Sequence, residues 1–208
     1  MTLRPLINLL RRRWLHRLLF RPLFGERSQG VWLPHTRISP ATCIEHEERL
    51  TLGDHVYIGP FNLIEASGGI VIEEGVQITS HCALVTHSSH RSMRLLGPAF
   101  VLWGQPGGLG EAWAPRPGWI AGPIHIGAYS FIGPHCLIEA GSTLGRGSIV
   151  CAGTQLRGSY TDFAVLEGNP ARVVGDSRVR DEKLLAQYPE LRALYDAWAA
   201  PERIERMG

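Results

Sequence analysis

A mainly β fold, wound as a parallel β-helix of six-residue repeats, is predicted by three features of the sequence. An aliphatic residue returns every six positions at Ile126, Ile132, Ile138, Leu144, Val150 and Leu156. The fourth residue after each aliphatic is mostly small, as at Val76, Cys82, Ser130, Cys136, Ser142, Ser148 and Thr154. Glycine often follows the aliphatic directly, at Gly53, Gly59, Gly127, Gly133 and Gly145, as expected of a corner. A 3.6-residue helix would rotate such residues off one face, and a lone amphipathic strand would ask for an apolar residue every second position. A coil with three short flat sides needs one inward aliphatic per side, and each coil then covers the one below.

The chain divides into three parts. Residues 1–30 interleave Leu3, Leu6, Ile7, Leu10, Trp14, Leu18 and Leu19 with Arg4, Arg11, Arg12, Arg13, Arg17 and Arg21. This spacing predicts a basic amphipathic helix, ended by Pro22 and Gly25. The arginine triplet interrupts the apolar core a secretory signal would need. Two readings stay open: a helix lying on an anionic membrane surface, or one packed as a cap across the open end of the β-helix.

Residues 36–175 form the β-helix domain. Ile38 and Ile44 fit the repeat loosely, Leu52, Ile58 and Ile64 make one coil, and Ile72, Ile78 and Leu84 the next. The register shifts at Ser67, Gly68 and Gly69, where a two-glycine bulge is expected. Asn62 breaks the column of small residues, either as an amide bonded to corner backbone or as a polar group at a substrate cleft. Residues 86–123 interrupt the winding. Rich in Gly and Pro and carrying Trp103, Trp113 and Trp119, they are expected to form an arm folded over a neighbouring surface, such as another subunit. Glu167 to Gly175, EGNPARVVG, closes the repeats. Residues 176–208 read as a packed helical tail, with Pro189 opening its second helix.

Composition narrows the function. The 208 residues are 44% hydrophobic and 19% charged, with no apolar run long enough to span a bilayer. A net charge of +2 gives no argument for nucleic acid as a partner. Cys43, Cys82, Cys136 and Cys151 lack CxxC spacing, so free thiols in a reducing compartment are expected.

Consecutive hexapeptides, a loop starting at Thr86 and His87, and the closing GNPARVVG together resemble the hexapeptide-repeat acyltransferases, close to the maltose and galactoside O-acetyltransferases and their polysaccharide-modifying relatives. The resemblance covers residues 36–175, about two thirds of the chain. It implies a left-handed β-helix, a homotrimer, acetyl-CoA as co-substrate with no metal, and a sugar hydroxyl as acceptor, on a surface polysaccharide or its precursor. The free thiols and the lack of a secretory signal lead to the expectation of a cytoplasmic protein, and the basic amphipathic segment to peripheral contact at the inner face of the membrane through residues 1–25.

The resemblance also assigns residues. A histidine where the last regular repeat meets the loop acts as general base, because an alcohol is a poor nucleophile near pH 7 and imidazole titrates in that range. His87 holds that place in LVTHSSHR, with His90 as competitor. Phe131 stands where the family has a tryptophan beside the acceptor, and Trp119 is the candidate for stacking on a sugar. Gly133 and Pro134 occupy the corner where the family places a serine donor for the thioester oxyanion. Pro134 has neither hydroxyl nor N–H, so that role passes to another donor. Ala152 and Gly153 would line the pantetheine arm, and Arg157 and Arg172 would meet phosphates.

Three alternatives remain open at this level. One is N-acylation of an amino sugar. Another is a zinc site of the γ-carbonic-anhydrase kind, with His81 and His135 stacked about 5 Å apart on successive coils and His125 as third ligand. The third is a noncatalytic scaffold.

Overall fold

The computed structural model describes residues 3–111 and 115–200; Trp113 and the last eight residues of the expected tail, 201–208, lie outside that range. The repeats wind into a left-handed parallel β-helix with three walls. Strands Arg37–Ile38, Tyr57–Ile58, Gln77–Ile78, Phe131–Ile132, Ile149–Val150 and Ala164–Glu167 stack as the first wall. Cys43–Glu45, Leu63–Glu65, Ala83–Val85, Leu137–Glu139 and Gln155–Leu156 form the second. Leu50–Leu52, Ile70–Ile72, Ile124–Ile126, Thr143–Leu144 and Ser159–Tyr160 form the third.

Register follows the repeat. Ile58 pairs with Ile78, Ile78 with Ile132 and Ile132 with Val150, so the inward aliphatics form continuous columns. All six aliphatics from Ile126 to Leu156 are buried, as are the small residues Val76, Cys82, Ser130, Cys136, Ser142, Ser148 and Thr154. Ile38 and Ile44, loose in the sequence pattern, are only partly buried because they belong to the first coil. The four cysteines are free.

The corners correct the sequence reading. Gly59 and Gly133 do not serve a bend with positive φ; they let consecutive coils approach. A Cβ on Gly59 would lie 2.3 Å from the Thr79 carbonyl oxygen, and one on Gly133 would lie 2.8 Å from the Ala152 nitrogen. The left-handed corner positions are held largely by other residues, among them His55, Phe61, His81, Tyr129, His135 and Phe163, with φ between 56° and 63°. Several of their rings meet along the prism edges, Phe61 tilted against His81 at 5.0 Å and His81 stacked on His135 at 4.9 Å. Ring packing offsets a backbone conformation that costs non-glycine residues about 1–2 kcal/mol.

The ends differ from one another. Helix α1, Arg4–Leu15, continues through a wider turn at His16–Phe20, and none of its residues is buried. The cap reading for this segment is therefore incorrect. The first coil is covered instead by the antiparallel hairpin Glu26–Ser28 and Val31–Leu33, with Leu33 buried and the Ser28 hydroxyl donating to the Leu50 carbonyl. The segment meets the β-helix at its end, where Phe20 packs on Phe61 at 5.3 Å. Among the described residues, no helix is long and apolar enough to cross a membrane.

The insertion folds on its own chain. It forms helix α2, His90–Leu96, then a 3-10 turn at Gly97–Leu102, and returns through strand Ile120–Ala121, which pairs antiparallel with His87–Ser88. The Ser92 hydroxyl donates to the Pro117 carbonyl at 2.6 Å and ties the two halves together. Within the chain, the described part of the insertion forms a hairpin-like cover beside the coil it interrupts. At the far end Arg172–Asp176 turns back on Ala164–Glu167 and closes the first wall. Helices α3, Arg178–Gln187, and α4, Arg192–Ala199, follow, with Pro189 opening the turn between them. Trp198 stacks on Tyr129 at 4.7 Å, so the tail is packed, as expected.

Candidate active site at the broken coil

Where the second wall gives way to the insertion, the bulge predicted at Ser67 to Gly69 and the first residues of the insertion come together. Glu65 ends a second-wall strand with its carboxylate inward and only 5% of the residue exposed. Its oxygens accept from the Ser67 amide at 2.9 Å, the Thr86 amide at 3.1 Å and the Thr86 hydroxyl at 2.7 Å. The Thr86 oxygen in turn accepts the Gly68 amide at 2.8 Å. Gly68 is required here: a Cβ on it would lie 2.9 Å from that of Thr86 and 3.2 Å from the Gly122 carbonyl oxygen.

Into this frame the chain inserts His87. Its Nδ1 lies 2.8 Å from Glu65 Oε2 and 3.0 Å from the Ser67 hydroxyl oxygen. A carboxylate at Nδ1 fixes that nitrogen as the N–H donor and leaves Nε2 as the basic nitrogen. Trp119 stacks on the imidazole at 4.7 Å with the planes 12° apart, so the ring is held on its edge and on one face. Burial pushes the Glu65 carboxyl up, but the hydrogen bonds from Ser67 and Thr86 more than offset it and bring the group down to about 2. Glu65 is therefore a permanent anion at neutral pH, suited to stabilise a positive charge developing on His87.

His90 is built differently. It opens α2 on the exposed side, and its Nδ1 meets the Ser88 hydroxyl at 2.7 Å with no carboxylate partner among the described residues. Of the two candidate imidazoles, only His87 is oriented by a buried acid.

The other expected site residues fall elsewhere. Asn62 is buried, donates to the carbonyls of Gly59 and Thr79, and accepts from the Cys82 amide. Its amide is fully used by backbone, so the substrate-cleft reading is corrected to a structural one. Trp119 spends a face on His87 rather than standing free, though it remains 37% exposed. Phe131, Gly133, Pro134, Ala152 and Gly153 lie on the first wall and its corner with the second, away from the corner of Glu65 and His87. Phe131 is exposed, and Pro134 uses its carbonyl to accept the Gly153 amide. Arg157 follows the last second-wall strand, on the same prism edge as His87 but further along, and Arg172 is exposed on the closing strand.

The stacked pair His81 and His135 is present, but the zinc reading fails on its third ligand. His125 Nε2 is engaged by Glu73 at 2.8 Å on the third wall, and the three imidazoles do not converge. The group of donors that does converge among the described residues is His35, Asp54 and His55. There Asp54 bonds the His35 ring and amide at 2.9 Å each and ties the first two coils together.

The sequence reading missed Glu65 as a partner. Its signal was the column after each aliphatic, where Glu65 replaces glycine immediately before the bulge.

Comparison with known proteins agrees with the architecture. No protein-family model matches the chain. A protein named as a probable acetyltransferase of Mycobacterium tuberculosis is 28% identical over 148 residues, 71% of this chain and 44% of that protein. A hexapeptide-repeat acetyltransferase of Vibrio cholerae, solved with acetyl coenzyme A, superposes with a TM-score of 0.55 at 23% identity, covering 80% of this chain and 76% of the other. A galactoside acetyltransferase in complex with coenzyme A gives 0.52 at 21% identity, over 70% and 63%. The fold is that of the hexapeptide-repeat acetyltransferases, and the resemblance read from the sequence is borne out. The chain spans less than half the length of the curated relatives it matches.

Proposed function

We propose that the protein is an acyltransferase that moves an acetyl group from acetyl-CoA to a sugar hydroxyl, with His87 as general base. The observation that carries this reading is the imidazole held at Nδ1 by buried Glu65, at the point where the winding breaks. Nε2 takes the proton of the acceptor hydroxyl as its oxygen bonds to the thioester carbonyl carbon. The tetrahedral intermediate then collapses, the C–S bond breaks, and the departing thiolate recovers the proton from the imidazolium. Glu65 stabilises that imidazolium while it exists, as an anion near a developing charge does.

One chain does not bring the donor-binding candidates to this base. Phe131, Gly133, Pro134, Ala152 and Gly153 share a different corner, which a neighbouring copy in a homotrimer would set against His87. In that arrangement Ala152 and Gly153 line the pantetheine arm, Phe131 walls the acceptor, and Arg157 and Arg172 meet phosphates. Because Pro134 offers no N–H, the oxyanion takes a backbone amide elsewhere on that corner.

The acceptor is read as a surface glycan or its precursor, with the protein in the cytoplasm and touching the inner face of the membrane through residues 1–25. Support comes from helix α1, whose Leu6, Leu10 and Trp14 are all more than half exposed beside its arginines. The test of the reaction is thiol release from acetyl-CoA with a panel of sugars and glycan fragments. Acceptor-dependent release supports the reading, and release with none of them would reject it.

A further inference from the structure

The insertion presents a cation that the acid and base leave unexplained. The Arg116 guanidinium carbon lies 4.6 Å from the centre of the Phe100 ring and 5.1 Å from that of Trp119. Trp119 in turn covers His87, so one aromatic plate connects guanidinium and imidazole. Arg146, Arg178 and Arg192 each have a carboxylate within 4.0 Å. Among the described residues, no carboxylate or hydrogen-bond acceptor engages the Arg116 side chain. Between residues 86 and 123 the acidic residue is Glu111, against Arg91, Arg94 and Arg116.

Aromatic rings shield the flat faces of a guanidinium and hold it in place, while its five N–H donors stay in the plane at the rim. That rim matches the oxygens of a phosphate or carboxylate, which it can bind in bidentate fashion. A cation held on the aromatic plate that also covers His87, with no carboxylate or hydrogen-bond partner among the described residues, is placed for a negative charge brought in with the substrate.

We propose that Arg116 binds an anionic group, phosphate or carboxylate, carried by the acceptor whose hydroxyl His87 deprotonates. The acceptor is therefore an acidic sugar rather than a neutral one. This inference rests on the acyltransferase reading above and narrows its substrate class. Coenzyme A also carries phosphates, so the test must separate acceptor from donor.

Acetyl transfer is measured for the full chain with a neutral hexose, the matching hexose 1-phosphate and the matching hexuronic acid as acceptors. Acetyl-CoA and its 3′-dephospho form serve as donors, and the enzymes are wild type, Arg116→Gln and Arg116→Lys. The expected result is a KM about 10- to 100-fold lower for the charged acceptors than for the neutral one, the size of a charge-assisted hydrogen bond. Arg116→Gln removes that advantage, leaving kcat and the KM for acetyl-CoA unchanged, and Arg116→Lys restores part of it. Equal KM values for neutral and charged acceptors in the wild type would overturn the inference. So would an Arg116→Gln variant impaired toward acetyl-CoA but not toward its dephospho form, which would assign the guanidinium to the donor. Turnover with none of the acceptors would remove the acyltransferase reading and this inference together, whereas turnover indifferent to Arg116 removes the inference alone.

Discussion

Glu65 and His87 illustrate how a buried charge can be maintained for use. An anion in the interior is stable only if its lone pairs are filled, and the amides of Ser67 and Thr86 with the Thr86 hydroxyl fill them. The sign of its pH linkage follows. A carboxyl depressed from 4.5 to about 2 contributes stability that is complete above its ordinary range and is lost as pH falls from about 4.5 toward 2. Thermal melts across that window should show the wild type losing stability on acidification, and Glu65→Gln showing a flatter profile. At neutral pH the same substitution should lower kcat by about 10²-fold with little change in KM, since it removes charge behind the base and not a substrate contact. A KM effect without a kcat effect would instead place Glu65 among binding groups. His87 could be singled out in the sequence because the repeat ends there. Glu65 carried a weaker signal, an acid in the column after the aliphatics, and its partners became plain only once the second-wall register set Glu65 beside Val85 and so next to Thr86.

At the scale of elements, the repeat made the walls readable and hid the edges. One inward aliphatic per side is a signal that survives without an alignment, and the walls follow it as far as Tyr160, which takes the inward place beside Leu144 at the end of the third. The corners were misread because two different demands both favour glycine: positive φ, and close approach of stacked coils. Only coordinates distinguish Gly59, which meets Thr79, from Gly153, which has positive φ and open space around it. The column of small residues offers a direct test. The Thr154 hydroxyl is buried without a partner among the described residues, while Val76 fills the same column with a methyl in its place. Thr154→Val should therefore stabilise the fold by about 1 kcal/mol in urea titration, the cost of an unsatisfied buried hydroxyl. A loss of stability would mean that the hydroxyl has a partner, such as water. Gly68→Ala should act in the opposite sense, destabilising by about 1–3 kcal/mol through overpacking against Thr86, and should impair turnover through the displaced His87. At the amino-terminal end, deletion of residues 1–15 should abolish sedimentation with anionic vesicles while leaving the melting transition of the β-helix nearly unchanged, since none of the residues of α1 is buried. Unchanged vesicle binding after the deletion would contradict the membrane contact.

The whole molecule poses the question of how two corners of one prism serve one reaction. Within a chain His87 stands at one edge and the donor-binding candidates at another, and the proposed trimer, in which each copy lends one edge, would resolve the separation. Mixed oligomers test this arrangement: His87→Ala subunits combined with Ala152→Trp subunits should regain activity that neither possesses alone. Mixtures as inactive as their parents would place base and donor site in the same chain. The central claim, that His87 is the base of an acetyl transfer, is tested most directly by the rate of thiol release from acetyl-CoA, at saturating acceptor, for wild type, His87→Ala and His90→Ala. The account predicts a loss of about 10²- to 10⁴-fold for His87→Ala and near wild-type turnover for His90→Ala. Full activity in a folded His87→Ala protein would contradict it.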